Sequence, residues 1–129
     1  MTKKDKPTSA ELEILDVLWQ KGNATVRDVH DEINARRPTV YTTVLKLMQI
    51  MLEKGLVRRD SQGKAHIYRP TQSRQQTQKR LVSELLDKAF RGSALKLVQH
   101  VLETKPASPE ELAEIRRMIN EAEAKGARK

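Results

Sequence analysis

Along most of the chain apolar residues recur every three to four positions, and in one stretch near the middle the period shortens towards two. Leu12, Leu15, Leu18 and Trp19 recur at helical spacing after "TSAE", where Thr8 can cap the free amides and Glu11 stands three residues on. That pair is a capping box, and Gly22 stops the segment. Thr25 with Asp28 repeats the signal and opens a second, short helix whose apolar stripe is Val26, Val29 and Ile33. Pro38 disfavours helical geometry at Arg37, so this helix ends there and Thr39 is the expected cap of a third. In the third helix Val40, Val44, Leu47, Met48 and Met51 fall on one face, and Gly55 ends it.

The period changes in "LVRRDSQGKAHIYRP". Short runs with Val, Ile and Tyr flank "SQGK", and Gly63 can supply the positive φ of a hairpin turn, so strands are expected at residues 56–60 and 65–69. Pro70 ends the second strand, and Thr71 or Ser73 starts a fourth helix carrying Leu81, Val82, Leu85, Leu86, Ala89 and Phe90. A fifth follows "RGS" with Ala94, Leu97, Val98, Val101 and Leu102. Ser108, Pro109 and Glu111 then start a sixth through Leu112, Ile115, Ile119 and Ala122, and the tail "EAEAKGARK" is expected to fray. These elements divide into two domains, residues 1–71 and 72–129. The last three helices carry stripes too narrow to bury much surface alone. Pairing of two copies through Leu85, Leu86, Phe90, Leu97, Val98, Val101, Leu112, Ile115 and Ile119 is therefore expected.

Three helices followed by a hairpin is the order of a winged helix-turn-helix, giving a mainly α fold with a small helical dimerisation domain behind it. In helix-turn-helix proteins the recognition helix lies in the major groove and its first residues reach base edges. With Val44 marking the buried direction, a rotation of 100° per residue points Thr39, Thr42, Lys46 and Gln49 away from the core and Tyr41 towards the boundary. Hydroxyls can bond bases or phosphates, and Lys46 can reach guanine or phosphate.

Charge strengthens this reading. The net formal charge is +8, and residues 36–70 hold eight Lys and Arg against two Asp and Glu, while residues 1–35 are net acidic. Arg36 and Arg37 are placed for backbone phosphates, and Arg58, Arg59, Lys64 and Arg69 extend the positive surface onto the hairpin. A basic balance also suits a winged-helix adaptor that binds protein or RNA, and that alternative stays open.

Other chemistry finds little material. The chain has no Cys, which removes thiolate metal sites, disulfides and thiol nucleophiles. His30, His66 and His100 show no metal-ligand spacing and read as surface or packing residues. Neither a glycine-rich phosphate loop nor a hydrolase constellation is found, so no cofactor and no enzyme activity are expected. No apolar run approaches the roughly 18 residues of a membrane span, and a cytoplasmic location is expected.

The strings "AELEILDVLWQKGNATVRDVHDEI", "YTTVLKLMQIMLEKGLVRR", "GKAHIYRP" and "FRGSALKLVQHVLE" resemble the BlaI/MecI-type penicillinase repressor family over residues 7–122. The resemblance implies a homodimer that binds palindromic operators and represses transcription. It also implies that Thr39, Tyr41, Thr42 and Lys46 line the recognition helix. In antibiotic-responsive members a membrane sensor protease triggers cleavage at an Asn-Phe bond. The matching positions here are His100 and Val101, a departure from that pattern that leaves the inducing signal open. Copper-sensing relatives use cysteine motifs, which this chain lacks.

Overall fold

The computed structural model describes residues 6–63 and 65–127, so Lys64 lies outside the described residues. The order is α1 (Ser9–Lys21), α2 (Val26–Arg36), α3 (Tyr41–Lys54), β1 (Val57–Gln62), β2 (Ala65–Pro70), α4 (Arg74–Phe90), α5 (Ala94–Thr104) and α6 (Pro109–Ala127). It is the winged helix-turn-helix order, followed by helices.

Local signals account for most of the boundaries. Thr8 Oγ1 accepts from the Glu11 amide at 3.2 Å while Glu11 Oε1 accepts from the Thr8 amide at 2.9 Å. The Thr25 and Asp28 pair repeats this reciprocal cap on α2. Ser73 rather than Thr71 caps α4, its hydroxyl accepting from the Gln76 amide. The Thr71 hydroxyl instead donates to the carbonyls of Gly55 and Leu56. Gly55 closes α3 in the left-handed region at φ 80, where a side chain would be strained. The stretch from Glu121, expected to fray, continues α6 to Ala127.

The third helix begins differently from expectation. Thr39 does not cap it: the cap position is Val40, which makes no side-chain cap bond. The Thr39 hydroxyl donates to the Arg37 carbonyl at 2.9 Å, and the Thr39 amide donates to Asn34 Oδ1 at 2.9 Å, so this residue is spent on the turn. Val40 therefore precedes the helix, and its expected place on the buried stripe is lost; it is 65% exposed.

The core gathers Ile14, Leu15 and Leu18 of α1, Val29 and Ile33 of α2, Val44, Met48 and Met51 of α3, and Val57 and Tyr68 of the hairpin. Each such side chain contributes about 1.5–3 kcal/mol on full burial. Strands β1 and β2 are antiparallel, with Arg59 opposite Tyr68 and Arg58 opposite Arg69. Ala24 adds one bridge to β2: its amide donates to the Tyr68 carbonyl at 3.0 Å, and the Tyr68 amide donates back at 2.8 Å. The wing is thereby tied to Ala24, the residue that precedes the cap of α2.

The chain divides into two compact units at Ser83 and Glu84, inside α4, a different position from the boundary expected at residue 71. The start of α4 packs with the first unit. Trp19 Nε1 donates to the Gln72 carbonyl at 3.0 Å, Thr77 is buried, and the Arg74 guanidinium lies 5.1 Å from the Trp19 ring centre. In the second unit no side chain is buried among the described residues. Leu86, Phe90, Leu97, Leu112 and Ile115 are half-buried, whereas Leu85, Val98, Val101 and Ile119 are exposed.

Candidate nucleic-acid interface

Helix α3 is seated by Val44, Met48 and Met51, and that choice of face fixes what the opposite side displays. Thr42, Thr43, Lys46, Gln49 and Glu53 are exposed. The outward row is thus Thr42, Lys46 and Gln49, with Tyr41 beside it at 36% exposure. Two of the four expected reading residues, Thr42 and Lys46, stand fully in this row. Thr39 is held back in the turn.

Tyr41 is fixed from two sides. The His30 ring meets it edge-on with centroids 5.6 Å apart, and the Arg27 guanidinium lies 5.5 Å from its centre. A cation over an aromatic face is attracted by the ring quadrupole, and here it also orients both groups. His30 Nε2 lies 2.7 Å from the Thr39 carbonyl, and its Nδ1 faces Asp31 at 3.6 Å. The histidine is a fastener between α2 and the turn that launches α3.

The cations sort by partner. Arg37 pairs with Glu13 at 2.6 Å, and Arg36 lies 3.8 Å from Glu13 and 3.6 Å from Asp16. Asp16 also takes Arg74 at 2.8 Å, so two carboxylates of α1 collect the end of α2 and the start of α4. A phosphate at Arg36 or Arg37 would compete with those carboxylates. Arg69 pairs with Asp60 at 2.7 Å. Arg27, Lys46, Arg58 and Arg59 have no ion-pair partner among the described residues. The hairpin pleat separates the last two, because successive strand residues point to opposite faces. Arg59 shares the face of Tyr68 and His66; Arg58 shares that of Asp60 and Arg69.

Sequence reasoning missed Arg27. It sits one residue past the buried Val26 in a segment of acidic balance, and only its position over Tyr41 brings it to the interface. Tyr68 is 1% exposed and packs in the core. His100 lies within α5 with its ring centre 5.8 Å from that of Phe90, and Val101 follows it on the same helix.

Three helices, a hairpin beside the third and a polar outward row on that helix define a winged helix-turn-helix protein. The family described as penicillinase repressor matches residues 7–121. The chain belongs to that family, which is one of transcriptional repressors and not of enzymes. It is 32% identical over 126 residues to the transcriptional regulator BlaI of Mycobacterium tuberculosis, covering 96% of this chain and 90% of that one. The methicillin resistance regulatory protein MecI of Staphylococcus aureus is 23% identical over 113 residues, 88% of this chain and 92% of that one. A solution structure of the DNA binding domain of the repressor BlaI superposes with a TM-score of 0.51 at 22% identity, covering 57% of this chain and 90% of that domain. That likeness bears on the fold alone. Among the described residues no helix is long and apolar enough to cross a membrane.

Proposed function

We propose that the protein is a cytoplasmic transcriptional repressor that binds a two-fold symmetric duplex operator as a homodimer, each copy laying α3 in a major groove. The observation that carries this reading is the outward row of Thr42, Lys46 and Gln49 on a helix whose other face is wholly committed to the core. Base edges in the major groove offer donors, acceptors and thymine methyls, and these side chains answer all three. Family membership supports repression as the outcome of binding. Thr39, Tyr41, Arg58 and Lys64 remain in the proposed surface, and Arg36 and Arg37 stand at its edge behind their carboxylates.

Pairing rests on the second unit. Leu85, Val98, Val101 and Ile119 are exposed on amphipathic helices that bury no side chain among the described residues. A second copy covering them would complete a core, and the two α3 helices would then enter major grooves about 34 Å apart, one turn of DNA. A sensor protease is the remaining partner read from the resemblance. His100 and Val101 lie within helical α5, so cleavage there would require the helix to open first.

Selection of bound fragments from random duplex DNA tests the reading. A recovered palindrome is expected, whereas no enrichment over background returns the protein to the adaptor alternative. On the recovered site Thr42→Ala and Lys46→Ala should each weaken binding by about 1–3 kcal/mol, roughly 5- to 150-fold, if each contacts a base. Unchanged affinity in a gel-shift titration would remove that residue from the interface.

A further inference from the structure

Beside α3 runs a groove of about 520 Å³, bounded by the start of α2, the flank of α3 and the inner face of the hairpin. Tyr41 and Leu45 form part of its lining, with Gln49 at the outward side. Arg27 of α2 and Arg59 of β1 both line it, and His66 stands next to Arg59 on the wing face. Among the described residues no carboxylate lines the groove. This sets Arg27 and Arg59 apart from Arg36, Arg37 and Arg69, each of which already faces an acid.

We propose that this groove seats the sugar-phosphate backbone of one DNA strand, with Arg27 and Arg59 gripping phosphates from its two walls. The proposal rests on the duplex-binding reading above and extends it to a site and to a residue, Arg27, outside the recognition helix. An unpaired guanidinium offers a planar fork of donors that matches a phosphate's oxygens. Two of them, on different elements and over a lining free of acids, favour an anion that is continuous along the groove. Arg27 also stacks on Tyr41, so a strand held at the α2 wall would lie next to the first residue of α3. The backbone contact and the base-reading row are thereby set in register.

Salt titration of operator binding by the full-length protein tests this. Each phosphate neutralised contributes about 0.9 to the slope of log affinity against log salt. Arg27→Gln and Arg59→Gln should each lower that slope by about 0.9. Arg117→Gln, on α6 of the second unit, should leave the slope as it was. Arg27→Lys should keep the slope, because the charge remains. Unchanged slopes in both glutamine variants would overturn the proposal, as would an equal loss from Arg117→Gln. A loss in Arg27→Lys as large as in Arg27→Gln would assign Arg27 to stacking alone and overturn it too. Failure of the wild-type protein to bind any duplex would instead overturn the repressor reading on which the proposal rests.

Discussion

Val40 stands at the first turn of the reading helix with its side chain 65% exposed and no cap on the free amides behind it. Serine, aspartate or asparagine at such a position accepts from those amides and stabilises a helix by about 1 kcal/mol over an apolar residue. Val40→Ser should therefore raise the thermal midpoint of the first unit, by roughly 4–8 °C for a domain of this size. Val40→Asp should stabilise similarly, with added benefit from the helix dipole, yet weaken DNA binding by setting a carboxylate at the phosphate surface. A stabilised Val40→Asp variant that binds as tightly as wild type would place this turn away from the duplex. The missing cap is then read as a concession to function: amides left free by the protein stay open to an anionic partner.

Among the elements, α1 organises the most at a distance. Glu11 caps its own helix and, at 1% exposure, also takes Lys54 Nζ at 2.7 and 3.0 Å, pinning the end of α3. Removing one partner of such a pair leaves an uncompensated buried charge and costs about 3–5 kcal/mol. Lys54→Met should lower stability in a denaturant melt by that order, and Glu11→Gln in the same background should recover part of the loss. Full stability in Lys54→Met would mean that water or another donor satisfies Glu11. Capping boxes at Thr8 and Thr25 were legible in the sequence because cap and third residue are neighbours along the chain. So was the outward row of α3, set by the buried spacing of Val44, Met48 and Met51. Val40 was misread because periodicity assumes the helix has already begun, and Asn34 holding Thr39 in the turn moves that start by one residue. The carboxylates facing Arg36 and Arg37 lie some twenty residues upstream, and neither propensity nor period reports a contact over that distance. Arg27 was invisible for the same reason: its neighbour Tyr41 is brought to it by the turn.

For the molecule as a whole, the contrast between the two units decides how assembly should be tested. Leu97 and Ile115 are half-buried within the second unit, so charging them would damage the helices as well as any pairing. Val101 and Ile119 are 54% and 52% exposed. Val101→Glu or Ile119→Glu should shift sedimentation from dimer to monomer while the helical circular dichroism of the first unit persists. A dimer that survives both would move the pairing surface elsewhere. One further consequence belongs to the first unit and follows from the bridge between Ala24 and Tyr68. Arg27 lies three residues beyond Ala24, and Arg59 is the register partner of Tyr68, so both are positioned from the same two main-chain hydrogen bonds. The wing and the start of α2 then behave as a jaw of fixed gauge, which cannot widen without giving up both bonds. A duplex that does not fit has to bend or narrow instead, and operators would be sorted partly by how readily their backbone takes that path, at base pairs the protein never touches.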